Sequence, residues 1–228
     1  VAEYILAARE MGISILPVDV NKSVAEFGVE GKNIRFGFNA VKSMGRPTIT
    51  AIIEERTNNG DFHSMQDFIT RMAGVINKRT VEHLILAGAF DTFGNTRRGM
   101  MNVYERMIDS AVKQNKDAIS GQMSLFDFVS EEDKQSLEMK VPDIQEFEKE
   151  DLLEREKEVL GVYVTGHPLD EYTGMWEKHI SARSTDFLID EETGQAKLMN
   201  GSKQTIGGLI SNIKVITTGS GQQMAYLT

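Results

Sequence analysis

The sequence predicts a mainly α-helical protein with a small β part, and three features carry that prediction. Apolar residues recur at helical spacing through much of the first 113 positions. A glycine turn at Gly31 separates two short β-prone runs. From Gln204 the texture becomes strand-like, with residues 209–217 and 222–228 on either side of Gly219-Ser220-Gly221.

Taken in order, Tyr4, Ile5, Ala7, Ala8 and Met11 fit one helix, which Gly12 stops before the apolar run 13–18. Residues 27–29 and 34–38 form a hairpin around Gly31. A break at residues 45–47 precedes a short amphipathic helix on Ile49, Ile52 and Ile53, with Pro47 suited to its first turn. Further helices fit residues 65–72, 80–86 and 97–113. Residues 114–143 lack a period, and a charged helix over 144–160 presents Leu152, Leu153, Val159 and Leu160 as its apolar face.

The 228 residues suffice for one large or two small domains. The chain starts at Val1 and stops at Thr228 inside an apparent strand, which reads as a piece of a longer protein. With no cysteine it has neither disulfides nor thiolate metal sites. No apolar run would span a bilayer and no signal peptide is present, so a soluble, cytoplasmic protein is expected. The net charge of −9 is unevenly placed: residues 127–158 hold thirteen acidic against five basic side chains, whereas residues 32–116 hold thirteen basic against eight acidic. A basic part can meet phosphates while an acidic arm stays off them; ordinary solvated faces are the plainer alternative.

No Asp-x-Asp pair, nucleophile constellation or phosphate-binding P-loop occurs, and His63, His83, His167 and His179 lack metal spacing. His167, in Gly166-His167-Pro168, reads as a structural turn residue, and Glu156 and Glu158 read as a solvated helix face. Catalytic residues and a metal site are therefore expected to be absent from this stretch.

Two helix-break-helix units lie in the basic part and resemble a tandem helix-hairpin-helix module. The first turn is Lys42-Ser43-Met44-Gly45-Arg46, followed by Thr48 in the next helix; the second runs through Gly88-Ala89-Phe90 toward Arg97 and Arg98, with Lys78 and Arg79 opening the helix before it. Small turn residues let the backbone approach a phosphate, and free amides at the next helix N-terminus favour an anion. The cations add charge without reading bases. Both turns depart from a glycine, hydrophobe, glycine pattern, because Ser43 stands for the first glycine and Phe90 for the last. A glycine-capped packing corner is the alternative at either turn.

The run Gln122-Met123-Ser124-Leu125-Phe126 places two large apolar side chains where no period continues, as a peptide offered to a partner. It resembles the signature with which bacterial polymerases and repair proteins bind the sliding clamp. Other stretches are similar, in order, to the alpha subunit of bacterial DNA polymerase III, a C-family replicative polymerase. They are Ala8-Arg9-Glu10-Met11-Gly12, Leu16-Pro17-Val18-Asp19-Val20-Asn21, Ile34-Arg35-Phe36-Gly37-Phe38, Ala87-Gly88-Ala89-Phe90-Asp91, and the long run Glu156 to Asp170 containing Gly166-His167-Pro168. Ile206-Gly207-Gly208-Leu209-Ile210 through Met224-Ala225 resembles the start of that family's OB fold, and the clamp peptide precedes it, as in the alpha-subunit type rather than the other C-family polymerase of Gram-positive bacteria.

The resemblance implies the end of the polymerase fingers over 1–38, tandem helix-hairpin-helix DNA binding over 39–113, and a flexible clamp-binding linker over 114–143. An acidic helix and connecting segment would follow over 144–203, then the first strands of an incomplete OB fold over 204–228, with Tyr226 its one stacking candidate. It implies that Mg2+ sits in a palm lying before Val1, so this stretch would not synthesise DNA alone. The implied partners are duplex primer-template DNA, the sliding clamp and other replisome subunits, with no membrane. Two alternatives stay open: a noncatalytic repair or scaffold protein, and a protein-interaction module working through its acidic helix.

Overall fold

Five phenylalanines far apart in sequence, Phe36, Phe38, Phe62, Phe68 and Phe90, are each no more than 1 % exposed, and they show where the core lies. Phe62 meets Phe68 edge-on with ring centroids 5.0 Å apart, and Phe68 meets Phe90 in the same way at 5.1 Å. The computed structural model describes residues 2–119, 139–189 and 194–228. They divide into two units, residues 1–166 and 167–228.

The first unit holds α1 (Ala2–Glu10), β1 (Ile15–Leu16), β2 (Gly28–Glu30), β3 (Asn33–Arg35), α2 (Arg46–Asn59), α3 (Met65–Arg71), α4 (Lys78–Leu86), α5 (Arg97–Ile119) and α6 (Lys149–Leu160). The strands form one sheet in the order β1-β3-β2, with β1 parallel to β3 and β2 antiparallel to it through the pairs Val29↔Ile34 and Glu30↔Asn33. Gly37 follows at a close crossing, where an added Cβ would collide with the carbonyl oxygens of Glu26 and Ala25. On α5 the buried residues Met100, Val103, Tyr104, Met107, Ile108 and Ala111 repeat at three and four, the spacing that turns one stripe to the core. Ser64 and Asn77 cap α3 and α4 by accepting from the amides of Asp67 and Thr80.

Residues 1–38, expected to be a separate region, are bonded into the same unit as the hairpins. Asn21 and the Phe62 backbone exchange two hydrogen bonds of 2.8 Å, and Arg56 of α2 donates to the carbonyls of Val20 and Ser23 at 2.7 and 2.6 Å. The Val20 amide donates to Ala89.

Four boundaries differ from the sequence reading. The helix after Pro47 continues to Asn59, because Arg56 supplies the contacts that apolar periodicity does not. The helix from Arg97 continues to Ile119, into the stretch expected to lack structure. The acidic helix begins at Lys149 rather than Ile144, since residues 141–148 form no helix and bond to the start of α5. Met139 and Val141 are packed against the core, so this end of the expected linker is held.

In the second unit, α7 (Thr173–His179) is followed by the antiparallel pair β4 (Ile213–Thr217) and β5 (Gln223–Leu227), registered Ile213↔Leu227 to Thr217↔Gln223. Leu209 and Ile210 lie outside the strands, against expectation, and a two-stranded ribbon does not define an OB fold. The His167 ring accepts a hydrogen bond from the Leu169 amide while its backbone amide donates to Asp170, which fits a turn role. No described helix is long and apolar enough to cross a membrane.

Tyr104 is 6 % exposed. Its phenol is pushed up to about 12, by burial first and then by the carboxylates of Glu82 and Glu105. The fold thus favours the neutral phenol: the contribution to stability is complete below the ordinary pKa of 10.0 and is lost as pH rises toward about 12. In an ultraviolet titration, one of the five tyrosines should ionise near pH 12, and Tyr104→Phe should remove that step. Loss of a step near pH 10 in the variant would contradict this.

Candidate nucleic-acid interface

The turn between the short 3-10 helix Phe38–Ala40 and α2 is anchored at its flanks and open at its tip. Val41 is buried and Met44 is packed against the core, whereas Lys42, Ser43, Gly45 and Arg46 are exposed and Thr48 is half-buried. Ser43 has φ +66°, the one non-glycine residue with positive φ among those described, in the place of the first glycine of the common pattern. The next helix starts without protection. Gly45 is its N-cap, no side chain caps it, and no acid lies in its first turn. Three other helix starts are provided for: Ser64 and Asn77 cap α3 and α4, and α6 carries Glu150 and Asp151 in its first turn. The α5 start receives a carboxylate from elsewhere.

That carboxylate belongs to Glu146, which accepts from the amides of Arg97 at 2.6 Å and Arg98 at 2.9 Å, while Thr96 donates to the Ile144 carbonyl. The position where sequence suggested a second backbone phosphate is therefore met by an internal anion. The rest of the second turn is inside the protein: residues 84–90 are all buried. Gly88, Ala89 and Arg97, which the sequence reading offered to DNA, are thus buried.

Arg97 is 3 % exposed. It donates to the Asp91 carboxylate at 3.0 and 2.7 Å and to the Leu86 carbonyl at 2.9 Å, and its guanidinium lies 3.6 Å from Glu156. Burial works against its charge; the hydrogen bonds and charge of Asp91, with Glu156 and Glu146, outweigh it and raise the pKa above the ordinary value. Gly88, at φ +81°, leaves the room this requires, because a Cβ there would run into the guanidinium and lie 2.8 Å from Asp91. Glu156, expected on a solvated face, is fully buried and accepts from the amides of Val164 and Thr165 at 2.5 and 2.9 Å and from the Thr165 hydroxyl at 2.7 Å. Its sequence signal was present: it falls three residues after Leu153 and three before Val159, on the apolar face.

The remaining candidates separate by partnering. Lys78 bridges Glu105 and Asp109 at 3.2 and 3.0 Å, and its hydrogen bonds to both, Asp109 first, hold its pKa above the ordinary range. Arg79 and Arg98 are exposed and, like Lys42 and Arg46, take part in none of the ion pairs seen among the described residues. Residues 122–126, the clamp-binding peptide of the sequence reading, lie outside the described residues. Among the described residues no group of three or more His, Asp or Glu is placed to hold a metal ion. One contact that sequence reasoning missed lies behind the first turn, where the His83 ring meets the Lys42 carbonyl at 2.7 Å. The two stand 41 positions apart, so no local pattern could have shown it.

Removing one member of a buried charge network leaves the others uncompensated. Arg97→Ala should cost about 3–5 kcal/mol in urea denaturation, and adding Glu156→Gln should cost less than the sum of the two single changes. A loss below about 1 kcal/mol for Arg97→Ala, the size of an exposed pair, would contradict the network.

Comparison with known proteins agrees with this architecture. Residues 12–100 match a family described as helix-hairpin-helix motif, spanning both turns. The DNA polymerase III alpha subunit of Thermus aquaticus is 36% identical over 100% of this chain and 18% of its own length. Those of Deinococcus radiodurans and Vibrio cholerae are 34% and 32% identical over 99% and 96% of this chain, which corresponds to 17% and 18% of theirs. The chain thus spans less than a fifth of the curated relatives it matches. Aligned with them from end to end and carrying the helix-hairpin-helix motif, it belongs, as a segment, to the family of DNA polymerase III alpha subunits.

Proposed function

We propose that this chain is the part of a bacterial replicative DNA polymerase that grips the backbone of duplex primer-template DNA and tethers the enzyme to the sliding clamp. The observation that carries the reading is the first turn, where exposed Lys42 and Arg46 flank the uncapped, acid-free N-terminus of α2. A phosphate there would meet backbone amides, the positive end of a helix and two cations. Such contacts hold the duplex without reading its sequence, and salt weakens them by restoring counterions. Arg98 and Arg79 are further exposed cations for the same backbone. The relatives' name supports DNA-directed DNA synthesis, a nucleotidyl transfer, by the whole protein, with Mg2+ held in a palm outside this stretch. The segment by itself is expected to be inactive in synthesis. Leu125 and Phe126 would anchor in the clamp pocket and Gln122 would supply amide hydrogen bonds, with Met123 and Ser124 contributing less. The setting is the cytoplasm, beside other replisome subunits. A noncatalytic repair or scaffold protein is less well supported, because the relatives that match from end to end are named as polymerase subunits.

Gly45 separates fold from function. Its φ of −84° and ψ of 150° suit any residue, and a Cβ would meet only Pro47 at 3.7 Å, so the fold does not demand glycine here. Gly45→Ala should change stability by less than about 1 kcal/mol, because the N-cap preference for glycine over alanine opposes the gain from a less flexible unfolded chain, yet weaken duplex binding by obstructing phosphate approach. Lys42→Ala and Arg46→Ala should weaken binding on all sequences and each reduce the salt slope by about 1. Unchanged duplex binding in all three variants would refute the interface. For the tether, calorimetry against a bacterial sliding clamp should give binding of about micromolar strength that the Leu125→Ala/Phe126→Ala double variant loses. Equal binding by that variant would refute the peptide's role.

A further inference from the structure

The peptide joining Lys42 to Ser43 is pinned from the protein side. Its carbonyl lies 2.7 Å from Nδ1 of His83 on α4, and since a carbonyl only accepts, Nδ1 carries the proton. The Lys42 amide donates to the Val159 carbonyl near the end of α6 at 2.9 Å. Both backbone groups of Lys42 are thus held by elements remote in sequence, and α6 lies beyond the residues 12–100 that match the helix-hairpin-helix family.

In a trans peptide the N–H points opposite to the C=O, so fixing the Lys42 carbonyl toward α4 turns the Ser43 amide away from it. The opposing tendency is local. Ser43 sits at φ +66°, where an L-residue is strained, and rotation of the 42–43 peptide would relieve it.

We propose that His83 is a positioning residue for the DNA-binding turn, acting through the Lys42 carbonyl to keep the Ser43 amide aimed at a backbone phosphate; this rests on the duplex-binding reading above. His83 touches no phosphate itself, and its charge is not what the proposal uses. Loss of one neutral hydrogen bond of this kind corresponds to a change of roughly three- to tenfold in affinity.

The test is fluorescence anisotropy of the whole chain with a labelled duplex over a salt series, with thermal unfolding measured on each variant. His83→Ala and His83→Phe should bind about three- to tenfold more weakly with an unchanged salt slope, because the cations remain. His83→Asn, whose Nδ2 stands where Nδ1 stood, should restore binding to within about twofold. Val103→Ala, a core change on α5, controls for lost stability and should bind as the parent does. Wild-type affinity in His83→Ala, or failure of His83→Asn to improve on it, would overturn the proposal while Lys42→Ala still binds weakly. If Lys42→Ala, Arg46→Ala and Gly45→Ala also bind normally, the duplex-binding reading itself falls.

Discussion

The first unit is organised around one constraint: the buried guanidinium of Arg97 must be compensated. A cation 3 % exposed is costly unless it is hydrogen-bonded and paired, and three residues do this. Asp91 and the Leu86 carbonyl, on either side of the second turn, accept its hydrogen bonds, and Glu156 of α6 pairs its charge. Glu156 also receives the amides of Val164 and Thr165, so the chain leaving α6 is fixed to the same charge. The second turn consequently works as a structural corner, and Glu146 satisfies the helix start that would otherwise be open.

The two helix-hairpin-helix turns therefore have different duties. Burial of residues 84–90 gives the unit its centre, where Phe90 joins the aromatic row of Phe68 and Phe62. That centre supports α4, and α4 presents His83 behind the first turn. The first turn remains outside with an uncapped helix behind it. One motif used twice yields a rigid base and an exposed turn, and the turn proposed to hold DNA is as well placed as that base is firm.

Much of this was legible in the sequence because its signals are local. The spacing of Met100, Val103, Tyr104 and Met107 gave a helix face, Gly31 gave the hairpin, and the Pro47 break gave the start of α2. The hairpin motif and the family were readable from short runs around Gly45, Ala87-Gly88 and Gly166. What escaped depends on distance along the chain. Arg97 and Arg98 are the same residue type, yet one is buried beside Asp91 and Glu156 and the other is exposed; Arg97 lies three residues before Met100, on the buried stripe of α5, but its charge partner Glu156 lies far along the chain. The start of α6 was misplaced because Glu146 contacts α5, which lies 48 to 49 residues earlier. Glu156 was a misreading of a pattern already visible, since its spacing from Leu153 and Leu160 placed it on the apolar face.

Whether DNA meets the first turn and not the second, as proposed, is read most directly from backbone amide shifts on titrating the isotopically labelled chain with a short duplex. Progressive shifts are expected at Ser43, Gly45, Arg46 and Thr48, while Gly88, Ala89 and Arg97 stay in place because they are buried and already bonded. Shifts concentrated at residues 88–98 with Ser43 and Gly45 unmoved would contradict the proposal, and would mean that Glu146 yields its position to the phosphate.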